Sequence, residues 1–194
     1  MDTLRSFIAI ELPPELKSEL QSMQTSLQKG QGNYVKWVDT QNMHLTLKFL
    51  GDIERAQIDP IFSAIETSTG NIHPFSLSLQ DIGTFPNLER PNVIWAGLQG
   101  DLKTLSAWQK CLEQNLKPLG FAAESRPFSP HLTLGRVREN ATLLERQSLG
   151  RQLAAIHLKS GSPMIVSSLN LVHSQLTPKG PIYTILRSIK LPTS

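Results

Sequence analysis

His44-Leu45-Thr46-Leu47 and His131-Leu132-Thr133-Leu134 are the same tetrapeptide, 87 positions apart. Each alternates polar and apolar residues, the period-two pattern of a strand with one buried face. On such a strand His44 and Thr46 share one face while Leu45 and Leu47 take the other, and the second copy behaves identically. Core packing accounts for the leucines. It does not require a histidine and a threonine opposite them twice, so the two polar faces read as half-sites built to meet.

The repetition extends outward from the motifs. Phe7 to Leu12 forms a short apolar strand stopped by Pro13-Pro14, and Val93 to Leu98 is its counterpart. From Phe7 to His44 is 37 positions, and from Val93 to His131 is 38. Between strand and motif each half carries an amphipathic helix. Leu16, Leu20, Met23 and Leu27 share one face over Glu15 to Lys29, with Gly30 and Gly32 as the stop. In the second half Gly100-Asp101 supplies a turn and helix cap, and Leu105, Trp108, Leu112 and Leu116 form the apolar stripe. Beyond the motifs, helices are expected over Ile58 to Ile65 and Leu143 to Ile156, and extended segments over Phe75 to Ile82 and Met164 to Val172. Pro181 to Leu186 is the last strand. The fold class is therefore α+β, bilobal, with two pseudo-symmetric antiparallel-sheet-plus-helix lobes around a central cleft. Residues 1–194 form a single domain with pseudo-repeat halves of about 1–90 and 91–194. Terminal strands are free to cross between the lobes.

Composition sets bounds on function. The 194 residues are 39% hydrophobic and 18% charged with a net charge of +3, which suits a small anionic ligand or an RNA end rather than a long nucleic-acid track. The lone Cys111 excludes an intramolecular disulfide and a thiolate metal site. Met1 to Glu11 has no signal-peptide run, and no stretch approaches a membrane span. A soluble cytoplasmic monomer is the default expectation.

Two imidazoles facing across a cleft suit an in-line displacement at phosphorus. One takes the proton of the attacking oxygen and the other gives a proton to the departing oxygen, work that fits a pKa near 6.5. Thr46 and Thr133, on the same faces, supply hydroxyls for the nonbridging phosphate oxygens. Four such donors around a tetrahedral anion need no metal, and no third ligand stands at a zinc spacing from His44 and His131. Lys48 continues the face of His44 and Thr46, as a cleft-lining group or a solvated strand-end cation. Arg136 falls on the leucine face unless Gly135 breaks the pleat, in which case its guanidinium is available to a base or phosphate. Phe7 and Tyr183 offer an aromatic wall for a base or serve in packing. Trp37, Trp95 and Trp108 read as structural, and the unmatched His73, His157 and His173 as surface or satisfied polar groups.

These residues resemble the 2H phosphoesterase superfamily and, within it, the RNA 2′,3′-cyclic phosphodiesterases, also called 2′-5′ RNA ligases. The resemblance spans Phe7 to Pro13, His44 to Gly51, Arg126 to Arg136 and Ser174 to Tyr183. It implies that His44 is the general acid and His131 the general base, with Thr46 and Thr133 positioning the phosphate. The implied reaction opens a 2′,3′-cyclic phosphate to a 2′-phosphate without metal or cofactor. With an RNA 5′-hydroxyl in place of water, similar proteins join ends through a 2′-5′ linkage. RNA ends or small cyclic nucleotides are the expected partners. A module that binds a nucleotide without turnover, or a dedicated ligase, would use the same residues.

Overall fold

A computed structural model describes residues 3–29, 33–156, 161–178 and 180–193. The expected glycine stop at Gly30 and Gly32, and His157, lie outside those residues. The element order is β1 (Thr3–Glu11), α1 (Pro14–Gln28), β2 (Val35–Trp37), β3 (His44–Glu54), α2 (Ile58–Thr69), β4 (Phe75–Phe85) and β5 (Val93–Gly100). It continues with α3 (Leu102–Leu116), β6 (His131–Val137), α4 (Leu143–Ala154), β7 (Met164–Val166), β8 (Ser168–Thr177) and β9 (Gly180–Lys190).

The strands form two antiparallel sheets, ordered β3-β1-β8-β9 and β2-β6-β5-β4-β7. Each motif strand therefore pairs with the strand that opens its half of the sequence, β3 with β1 and β6 with β5. The sheets do not divide at residue 90. Strands β2 and β4 join the second sheet while β8 and β9 return to the first. The segment Met164 to Val172, expected as one strand, is two. Met164–Val166 pairs with β4, the chain leaves that sheet at Ser167, and Ser168 onward pairs with β1 and β9. The backbone N–H of Leu191 donates to the Ser167 carbonyl at 2.8 Å and holds the crossover.

The leucine faces of both motifs, Leu45 and Leu47 with Leu132 and Leu134, belong to one continuous core. Helix α3 buries Leu105, Trp108, Leu112 and Leu116 completely in it, each worth about 2 kcal/mol. Its start is capped by Asp101, whose carboxylate accepts from the Thr104 N–H at 3.0 Å. Helix α1 buries Leu16, Leu20 and Leu27, but the fourth member of its stripe is Gln24, with Met23 at the margin. A buried glutamine needs partners. Its amide donates to the carbonyls of Val38 at 2.8 Å and Leu134 at 2.7 Å, tying the helix to the second motif.

Both motif strands carry a β-bulge at the same place. Ala9 pairs with Thr46 but Ile8 with Lys48, which leaves Leu47 unpaired. Trp95 pairs with Thr133 but Ile94 with Gly135, which leaves Leu134 unpaired. An extra residue in one strand reverses the in–out phase beyond it. The two bulges decide what lies past each motif.

Candidate active site

The two histidines are held alike. His44 Nδ1 lies 2.9 Å from the Asn42 carbonyl, and His131 Nδ1 lies 2.7 Å from the Ser129 carbonyl. A carbonyl only accepts, so Nδ1 carries the proton in both rings and Nε2 is left for chemistry. The carbonyl in each case belongs to the residue two positions earlier, because the strand begins at the histidine and the chain before it turns. Thr46 and Thr133 are half-buried on the same faces, and neither hydroxyl has a hydrogen-bond partner among the described residues.

The surroundings of the rings differ. Phe7 stacks on His44 with centroids 4.4 Å apart, and Tyr183 meets both rings edge-on at 5.1 and 5.3 Å. Burial in this clamp, with the Lys17 ammonium nearby, pushes the His44 pKa down to about 4, against a smaller upward effect of the Asn42 hydrogen bond. His44 is thus neutral at pH 7. His131 is flanked more loosely, by Phe85 edge-on at 5.1 Å and Trp95 tilted at 6.3 Å.

Trp95, expected to be purely structural, faces the second histidine, because β5 turns it to the same side as its partner Thr133. Its ring fits there because Gly83 opposite has no side chain: a Cβ would come within 2.2 Å of the indole. Trp108 is fully buried and Trp37 packs on the core, as the sequence suggests.

The bulges correct one expectation and resolve another. Lys48 does not line the cleft. The bulge at Leu47 turns it to the core side, where it is 4% exposed, with Nζ 3.0 Å from Glu113 and 2.6 Å from the Ala122 carbonyl. The bulge at Leu134 returns Arg136 to the face of His131 and Thr133, opposite Val93. Gly135 fits between because a Cβ there would already stand 3.0 Å from Val35 and 3.1 Å from Trp37. Arg136 and Arg5, one from each sheet, both act electrostatically on Tyr183, whose phenol burial nevertheless pushes up. Tyr183, which packs on His44, is thus within electrostatic reach of one guanidinium from each sheet.

Phe7 is buried against His44 and Tyr183, so its ring supports the histidine as well as lining the cavity. Tyr183 is half-buried at the cavity wall. His73 is exposed with Nδ1 3.2 Å from the Pro192 carbonyl, and His173 is half-buried on β8. Sequence reasoning missed Arg5, Phe85, Asn170 and Phe49. Phe49 is 65% exposed beside Phe7 and occupies the fifth position after His44, as Arg136 does after His131. That shared offset is the signal, but it carries meaning only once the bulges are known.

The model of the LigT-like phosphoesterase family matches this chain twice, over residues 10–95 and 98–183. The chain belongs to that family. The two matches coincide with the structural repeat, one around each motif. Among curated relatives, the RNA 2′,3′-cyclic phosphodiesterase of Methanothermobacter thermautotrophicus is 32% identical over 97% of this chain and 99% of its own length. That of Aquifex aeolicus is 35% identical over 80% of this chain and 81% of its own. Among solved structures, a Thermus thermophilus protein superposes with a TM-score of 0.79 at 27% identity, covering 97% of this LigT-like chain and 98% of its own. Escherichia coli LigT complexed with 3′-AMP shares the fold, with a TM-score of 0.72 at 23% identity over 99% of this chain and 100% of its own. As in the sequence reading, the phosphoesterase is α+β with two pseudo-symmetric lobes. No helix among the described residues is long and apolar enough to cross a membrane. Among the same residues no three His, Cys, Asp or Glu side chains gather as metal ligands.

Proposed function

We propose that this chain hydrolyses 2′,3′-cyclic phosphates at RNA ends or on small nucleotides to 2′-phosphates, by two-histidine acid–base chemistry that uses no metal or cofactor. The observation that carries the reading is the duplicated motif in which each histidine holds Nδ1 on a carbonyl and leaves Nε2 free on the strand face it shares with a threonine hydroxyl that has no partner among the described residues. His131 Nε2 takes a proton from water as its oxygen bonds to phosphorus. The bond to the 3′ oxygen breaks on the opposite side, and His44 Nε2–H returns a proton to that oxygen. Thr46 and Thr133 donate to the nonbridging oxygens, and Arg136 adds positive charge at the cleft edge. With an RNA 5′-hydroxyl as the attacking group in place of water, the same displacement forms a 2′-5′ linkage.

The acid role requires His44 to be protonated, which burial of the ring opposes. An anionic phosphate against Nε2 favours the charged ring, so His44 gains its proton together with the substrate. The low pKa of free His44 favours a second reading in which the roles are exchanged and His44 is the base. The test is hydrolysis of cytidine 2′,3′-cyclic phosphate in EDTA, with the product resolved and kcat/KM followed against pH. Formation of 2′-phosphate with unchanged rate in chelator is expected. A chelator-sensitive rate, or 3′-phosphate as product, contradicts the proposal. In His44→Ala the residual rate depends on the remaining histidine alone, so a rate that rises with pH supports His131 as the base and one that falls with pH favours the exchanged roles.

A further inference from the structure

Asn170 occupies a cross-strand row that runs Thr46, Ala9, Asn170, Ser188 through β3, β1, β8 and β9. Residues in one such row share a face, and this face is the cleft side, where Phe7, Ala9, Val172 and Tyr183 form a small cluster apart from the main core. Phe7, Ala9, His44, Asn170, Val172 and Tyr183 line a cavity of about 180 Å³. At about 30 Å³ per water this holds about six waters, or one flat heteroaromatic ring. The lining as a whole mixes apolar and aromatic side chains with Glu11, Lys17, Gln41 and Asn42. Of its three carboxamides, Gln41, Asn42 and Asn170, only Asn170 is buried, at 4% exposed, and its enclosed Oδ1 has no hydrogen-bond partner. An enclosed carbonyl left in that state is destabilising unless a donor is brought to it.

We infer that Asn170 reads the base of the nucleotide whose cyclic phosphate sits at His44 and Thr46. The inference rests on the hydrolase reading above and adds the subsite that makes a nucleotide, rather than any cyclic phosphate, the substrate. Two strand spacings separate Thr46 from Asn170, about 10 Å. The methyl of Ala9 between them leaves room for the ribose. Phe7 and Tyr183 border the space the ring would fill. A carboxamide presents an acceptor and a donor side by side, and a nucleobase edge offers the complementary pair. A rotation of the carboxamide about χ2 brings Oδ1 out of its enclosure to a ring or amino N–H of the base, which satisfies it.

Asn170→Leu removes both groups at similar volume, and Asn170→Asp keeps only acceptors. The substrates are the 2′,3′-cyclic phosphates of cytidine, adenosine and guanosine, and the base-free cyclic phosphate of methyl riboside. For N170L a roughly tenfold loss of kcat/KM is expected on the nucleotides, mostly in KM, with at most twofold on the base-free compound. For N170D the ratio of guanosine to adenosine turnover rises severalfold, because guanine alone places two N–H donors side by side. Equal loss on base-bearing and base-free substrates, no loss on either, or an unchanged guanosine ratio overturns the inference. Calorimetric binding of cytidine 2′-phosphate against methyl riboside 2-phosphate reads the same contrast without turnover. Failure of the hydrolase reading, seen as an inactive wild-type protein, is thereby distinguished from failure of the subsite.

Discussion

The half-sites around His44 and His131 start from identical tetrapeptides, share one strand geometry and the same bulge, and tie Nδ1 to a carbonyl at the same offset. They part company in what encloses the ring. His44 lies under Phe7, with Tyr183 edge-on and the Lys17 ammonium nearby, and burial drives its pKa down to about 4. His131 has an edge-on Phe85 and a distant, tilted Trp95. The motif thus fixes which nitrogen stays free, while in the first half the neighbouring strands lower its hold on a proton. A duplicated sequence yields two half-sites whose rings stand in different surroundings, as the proposed acid and base roles require.

Removing either ring should have the largest effect. His44→Ala and His131→Ala should each lower kcat by about 10²–10⁴-fold, because each leaves one proton transfer unassisted. The pH–rate profile sharpens the comparison: the two variants should lose different limbs of the bell. Loss of the same limb in both would make the half-sites equivalent and contradict the account.

A smaller contrast lies in how the bulges are tied down. In the first half Lys48, turned inward, pairs with Glu113, which also accepts from Gln109 at 3.1 Å. In the second, the Leu134 carbonyl accepts from Gln24 and from the Val38 N–H at 2.9 Å. Lys48→Met strands a buried carboxylate and should cost about 3–5 kcal/mol. Gln24→Leu leaves Val38 still donating and should cost about 1–3 kcal/mol. Urea unfolding midpoints check the order, and an equal or reversed order would break the distinction between an ionic and a neutral tie.

The period-two motifs, the matched spacing and the helical stripes were legible in the sequence because each is a local pattern read along one chain segment. The leucine faces did enter the core and the His and Thr faces did not. A bulge is decided by register with another strand, so alternation alone sent Lys48 to the cleft and left Arg136 conditional on Gly135. For the same reason Phe49 looked like one more apolar strand residue. Trp95 could not be told from a core aromatic without knowing that Gly83 lies opposite it. Asn170, between Leu169 and Leu171, gives no local sign that it faces a cavity. The break at Ser167 depends on two different sheets competing for adjacent residues, and nothing in Met164 to Val172 marks it.

The most direct test of unequal half-sites is an NMR pH titration of the His44 ring in the free protein and with saturating inorganic phosphate. The account expects a midpoint near pH 4 when free, well below the ordinary 6.5, and a higher midpoint with phosphate bound. A free midpoint near 6.5, unmoved by phosphate, would contradict it.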